Sequence, residues 1–128
     1  MCHQDKDLTG TKNGKNYSVF VNTTILKKSI HGDLDCVSCH SDVDPNDLPH
    51  NDELKAVKCG SCHSDEGKLY DECLHGKASA KGDKLAPTCS TCHGTHNILA
   101  AKDTKSPIYP SNVPYLCGKC HKEGSPVQ

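Results

Sequence analysis

Residues 86–96 read Ala86-Pro87-Thr88-Cys89-Ser90-Thr91-Cys92-His93-Gly94-Thr95-His96. At the centre of this stretch lies Cys-x-x-Cys-His. The same pattern occurs three more times, as Cys36-Val-Ser-Cys39-His40, Cys59-Gly-Ser-Cys62-His63 and Cys117-Gly-Lys-Cys120-His121. It is the attachment signature of c-type haem. Two thiols at this separation can add across the two vinyl groups of one porphyrin, and the adjoining histidine is then set under the ring to bind the iron. One match in a long chain is weak evidence. Four matches at intervals of 23, 30 and 28 residues are strong evidence. The pattern predicts four covalently attached haem c groups. Their thiols would be Cys36, Cys39, Cys59, Cys62, Cys89, Cys92, Cys117 and Cys120, and their proximal iron ligands His40, His63, His93 and His121.

Two other chemistries use paired cysteines. Four pairs could hold two Cys₄ zinc ions, but that leaves the histidine after every second cysteine unexplained. A disulfide framework suits a chain this rich in cysteine, but bridges within Cys-x-x-Cys close short loops and remove little chain entropy.

The remaining histidines extend the pattern. Of nine, four belong to the motifs; setting His3 aside leaves His31, His50, His75 and His96. Four further imidazoles would give each of four irons a second axial ligand. Such closed sites have lower potentials than Met/His ligation, and the one methionine is Met1. His31 and His75 lie in a repeat, Ser29-Ile30-His31-Gly32 and Cys73-Leu74-His75-Gly76, where a helix ending at the glycine would present the histidine from its last turn. His96 follows His93 by three residues, so the two cannot hold opposite faces of one iron. His96 is therefore expected to reach a neighbouring haem. His50, after Leu48-Pro49, is the least constrained of the four.

Composition points the same way. One Phe, four Tyr, no Trp and 34% hydrophobic residues give this chain little to bury, where its length would normally support a substantial core. Porphyrins would supply the missing apolar surface. The expected fold is mostly irregular, with short α-helices and little β, wrapped around a haem stack as a single unit over residues 1–128. About 32 residues per motif would keep the irons close together.

Along the chain, Tyr17–Val21 reads as a weak strand or hairpin flanked by Gly14 and Asn22. Thr24 is a candidate cap for a helix running to His31. Residues 42–52 form a loop broken by Pro45 and Pro49. Asp52 would cap a short helix over 53–59. Residues 66–79 read as the longest helix, 107–114 as extended, and a last short helix carries Cys117 to His121.

The formal charge is −1, all fifteen basic residues are lysine, and haem propionates would make the loaded protein mildly acidic. No basic stripe suggests nucleic acid, and no apolar run is long enough to span a membrane. Haem c is normally attached outside the cytoplasm, so the chain reads as a mature form or a fragment of a larger cytochrome. Met1-Cys2-His3 reads either as the tail of a fifth motif or as an unpaired thiol beside a surface histidine. Cys73 is expected to be a small buried residue at a helix–haem contact. A Cys2–Cys73 bridge is a further option.

The spaced motifs, the Ser-Ile-His-Gly segment and the stretch 86–96 together resemble the multihaem cytochromes c of anaerobic metal- or sulfate-respiring bacteria, broadly the cytochrome c3/c7-like group. The resemblance spans His3 to His121. It implies low-potential bis-histidine haems and distal-ligand roles for His31, His75 and His96. It also implies electron transfer in the periplasm or at the cell surface, with redox proteins or extracellular acceptors as partners. The partial first motif and Cys73, where similar sequences tend to have serine, depart from the pattern. A non-enzymatic electron carrier or conduit is the leading expectation. A protomer of an extracellular cytochrome filament, with His3 able to complete a neighbour's haem, is the alternative. A multihaem reductase fits less well, because the chain holds enough histidines to close every iron.

Overall fold

A computed structural model describes residues 3–127 of the chain. Near its start, Asn13 and Gly14 both take positive φ, 54° and 75°, the backbone of a two-residue type I′ hairpin turn. They join β1 (Thr9–Lys12) to β2 (Lys15–Ser18) as an antiparallel pair, with Thr9 opposite Ser18 and Lys12 opposite Lys15. The ladder sits earlier than the run Tyr17–Val21 suggests, because the Asn-Gly turn sets its register. Val19 and Val21 continue beyond it and donate to the carbonyls of Leu8 and His3 at 3.1 and 2.8 Å.

Six short helices follow: α1 (Thr23–Lys28), α2 (Cys36–Cys39), α3 (Ser64–Glu72), α4 (Leu74–Ala80), α5 (Cys89–His93) and α6 (Val113–Gly118). A 3₁₀ turn at Cys59–Ser61 precedes α3. Asn22 rather than Thr24 caps α1, its Oδ1 accepting from the Thr24 and Ile25 amides at 3.0 and 3.3 Å. The helix stops at Lys28, short of His31, because Ser29 turns extended at ψ 166°.

Three further elements differ from expectation. No helix forms over 53–59; the Lys55 amide instead donates to Asp42 Oδ2 at 2.7 Å, a side-chain acceptor that competes with helical bonding and holds the Asp42 carboxyl below its ordinary value. The helix expected over 66–79 is two helices, α3 and α4, separated by an extended Cys73 at φ −80°, ψ 169°. The extended run expected over 107–114 is instead a series of turns over 107–112 leading into α6, with the Tyr109 and Asn112 amides donating to the Ser106 and Tyr109 carbonyls at 3.0 and 2.7 Å. The Asn112 side chain secures these turns by donating to the carbonyls of Thr104 and Ser106, each at 2.9 Å.

The whole is small and mostly irregular, and it lacks the usual centre. Among the described residues no hydrophobic side chain is buried, while Leu74 is 85% exposed, Tyr115 79% and Leu69 69%. The accessible surface is 10417 Å². A compact folded chain of 13.8 kDa would show roughly 6,600 Å². Part of the exposed surface is apolar, with Leu8, Ile25, Ile30, Leu34 and Leu85 uncovered as well. Among the described residues no helix is long and apolar enough to cross a membrane.

Candidate metal centres

Each motif winds into a single helical turn. The amides of His40, His63 and His121 donate to the carbonyls of Cys36, Cys59 and Cys117, four residues back, at 2.9, 3.0 and 2.9 Å; the third motif is α5 itself. Residues three and four apart share a helix face. The turn therefore sets both thiols and the imidazole of each motif toward the same side.

The imidazoles meet across the chain. His31 faces His63 with ring centroids 6.0 Å apart, His96 faces His40 at 6.4 Å, and His75 faces His121 at 6.0 Å. An imidazole nitrogen binds a first-row metal at about 2.0–2.1 Å with its ring centre roughly 1.2 Å behind, so two imidazoles on opposite sides of one ion have centroids roughly 6.4 Å apart. All three separations fit an ion between the rings. In each pair one partner is a motif histidine and the other is not.

The fourth expected pair does not form. All nine histidines lie among the described residues, and His93 has no second imidazole facing it. His50, expected to help close one of the four motif sites, stands instead against His3 at 5.8 Å. Sequence reasoning set His3 aside, although the partial motif Cys2-His3 carried a signal for it; Cys2 itself lies outside the described residues. His96 meets His40 rather than His93, three residues behind it.

The Ser-Ile-His-Gly repeat has a steric basis. A Cβ on Gly32 would fall on the Lys27 carbonyl, and one on Gly76 would fall on the Tyr70 carbonyl. Glycine lets the chain fold back against the end of the preceding helix, and that close return positions the histidine before it. The two copies differ in detail from the expected geometry. His31 sits in the turn beyond α1, and His75 in the first turn of α4. The repeat's first residue caps the turn in both. Ser29 Oγ accepts from the His31 amide at 3.3 Å, and Cys73 Sγ accepts from the Gly76 amide at 3.5 Å. Cys73 is thus an exposed capping residue, not a buried one, because a cap must lie at the helix end with its sulfur beside free amides.

Neighbouring motifs are close. Burial pushes the Cys89 thiol above its ordinary value, and Cys59, hydrogen-bonded to it, adds to the rise. Burial does the same at Cys92, with Cys117 and Cys120 contributing. The third motif therefore lies between the second and the fourth. A cavity of about 170 Å³ opens there, lined by Cys59, His63, Tyr70, His75, Cys89 and His93 among others. The Tyr70 hydroxyl donates to the Pro87 carbonyl at 2.8 Å and ties α3 to the approach of α5. The Ile30 amide donates to the Ile98 carbonyl at 2.8 Å and ties the His31 turn to the segment after His96.

These features allow a test of what the residues could hold. Among the described residues no three His, Cys, Asp or Glu side chains converge as a structural zinc ion requires, and the nine described cysteines are unbridged. Paired imidazoles suit a metal whose other ligands come from a planar group. The exposed apolar side chains, Leu69, Leu74 and Tyr115 among them, suit that group's apolar faces. His40 Nδ1 is buried with no hydrogen-bond partner, an orphaned polar atom in the residues present. His96, whose side chain still reaches solvent, is held below the ordinary histidine value by partial desolvation and by His40 beside it, which favours the neutral form that binds metal. Comparisons with protein families, curated proteins and solved structures find no match to this chain.

Proposed function

We propose that this chain is an electron-transfer protein whose four Cys-x-x-Cys-His motifs each hold one haem c. The observation that carries the reading is the coincidence of four attachment motifs with three cross-chain imidazole pairs near 6 Å, each using one motif histidine. Bound haem c supplies a reversible one-electron couple at its iron, and closely spaced copies can pass electrons from one to the next.

The chain's own residues define the conditions. Cys36 and Cys39, Cys59 and Cys62, Cys89 and Cys92, and Cys117 and Cys120 would fix each porphyrin in place. The pairs His40/His96, His63/His31 and His121/His75 would each hold one of three irons. That arrangement excludes substrate and favours a low potential. The pairs also interlock the sites. His31 precedes the first motif and faces the second; His96 follows the third and faces the first; His75 precedes the third and faces the fourth. Each site is thus built from two separated segments, and moving one segment disturbs more than one site. Redox proteins or extracellular acceptors would be the partners, in the periplasm or at the cell surface.

One observation favours a second reading. His93 has no facing imidazole, so a ligand from a neighbouring copy would complete its site in a filament protomer; a free position there would instead suit a reductase.

The deciding experiment is low-temperature EPR of the oxidised protein with haem quantified on the same sample. Four covalent haems, three of them low-spin with two imidazoles, are expected from the motif sites. The haem at His93 should be high-spin in dilute protein. Loss of that high-spin signal on assembly into filaments would favour the protomer reading, and its conversion by nitrite or carbon monoxide would favour the reductase. A chain that carries no covalent haem after expression with a haem-attachment system would overturn the proposal.

A further inference from the structure

We propose that His3 and His50 form a fifth axial-ligand pair, a site for one more iron porphyrin beyond the four motif sites; this rests on the haem reading above. The two residues are far apart in sequence, yet their rings stand 5.8 Å centroid to centroid with 26° between their planes. The His75–His121 pair, which joins a motif histidine to a non-motif one, has 6.0 Å and 29°. The two pairs match in ring separation and in the tilt between ring planes.

The hydrogen bonds of the two rings point further. His3 Nδ1 lies 2.9 Å from the Val19 carbonyl, and His50 Nδ1 lies 2.7 Å from the Asn51 carbonyl. A carbonyl can only accept, so in both rings Nδ1 carries the proton. Both rings therefore present Nε2 with a free lone pair. A backbone carbonyl on the far nitrogen is the usual outer partner of a metal-bound histidine, fixing both tautomer and ring direction. Two stacked histidines without a metal would not require this at both rings.

The surrounding chain holds the pair in place. His3 adopts φ 57°, a left-handed conformation uncommon outside glycine. It is anchored through the Val21 amide, which donates to its carbonyl at 2.8 Å, and through its own ring on Val19. Both anchors lie where β2 runs out, so the hairpin serves to present His3. Among the described residues no third His, Cys, Asp or Glu joins the two rings, so they supply a bare ion with only two ligands. A porphyrin brings four nitrogens of its own and needs only the two axial ones.

The assignment also accounts for His93. If His50 belongs to His3, the number of histidines no longer suffices to close all four motif sites, and His93 is the one left over.

The test uses the full chain with its covalent haems, incubated with ferric protoporphyrin IX and freed of excess by gel filtration. Total haem per chain and the integrated low-spin EPR signal are measured for the unaltered protein, His3→Ala and His50→Ala. The expected result is five haems in the unaltered protein and four in each variant. One low-spin equivalent should be lost, with no gain in high-spin signal. His50→Met provides a second check, since it should keep the fifth haem with a raised potential, as expected of Met/His ligation. Four haems in the unaltered protein would overturn the inference and leave the haem reading standing. So would a fifth haem retained by His50→Ala, or a new high-spin equivalent among the covalent haems of that variant, which would return His50 to a motif site. Absence of covalent haem before any porphyrin is added would mark failure of the haem reading itself.

Discussion

At the scale of single residues, the imidazoles carry most of the information. The four Cys-x-x-Cys-His motifs are legible directly, because the covalent chemistry proposed for them fixes both residue types and spacing. Identifying the partners was harder. Counting histidines selected His31, His75 and His96, and the structure sets each of them against a motif ring. The same count assigned His50 to a motif site and passed over His3, because a count cannot tell which of five spare rings lies near which motif histidine. That depends on long-range contacts such as the Ile30–Ile98 hydrogen bond, which leave no local trace in sequence. A first prediction belongs here. His31→Ala should convert one low-spin ferric equivalent to high-spin, and the lost signal should be distinctive. The His31 and His63 rings are inclined at 68°, whereas the other three pairs lie between 26° and 37°. Strongly crossed imidazoles give a more anisotropic low-spin spectrum than nearly parallel ones. EPR of the variant checks this, and loss of a signal from parallel rings would contradict the pairing.

At the scale of elements, local rules worked where side chains cap and turns close, and failed where the backbone returns on itself. The Asn-Gly turn and the loop over 42–52 follow from residue type. The break at Cys73 does not, because the stretch from 66 to 79 has no proline and a serviceable helical pattern. What breaks it is contact between Gly76 and the Tyr70 carbonyl, a tertiary packing effect that propensity does not include. Gly76→Ala should therefore be costly although alanine is the better helix former. Overpacking of this kind destabilises by roughly 1–3 kcal/mol. In the haem-loaded protein the variant should melt at lower temperature and show a partly high-spin iron, because His75 would be displaced from His121. Thermal unfolding followed in the haem absorption band reads both effects. An unchanged melting temperature would mean that the close approach is not needed. Gly32 offers the parallel substitution at the other copy of the repeat.

At the scale of the whole molecule, the scarcity of apolar residues is visible in composition, and the lack of a buried hydrophobic core among the described residues accords with it. Neither property shows which element lies beside which, and the order of the motifs in space became clear only from the proximity of Cys59 to Cys89 and of Cys92 to Cys117 and Cys120. With no buried hydrophobic side chain among the described residues, the bare polypeptide has little to offset the entropy of ordering its backbone, about 1–2 kcal/mol per residue. The chain with all eight motif cysteines changed to alanine should show a coil-like circular dichroism spectrum, no cooperative thermal transition, and rapid cleavage in limited proteolysis. A sharp melting transition in that variant would show a core that the present structure lacks.

The uncovered interior has a consequence for how much of this protein a cell can keep. A polypeptide with no buried hydrophobic side chain among its described residues is open to proteases from the moment it is made, and on the proposed reading each attached porphyrin would shield only its own neighbourhood. Intermediates with one or two groups in place would be cleared, and finished molecules would persist. If the proposed haems are what fills the chain, steady-state abundance would follow the supply of haem rather than the rate of translation.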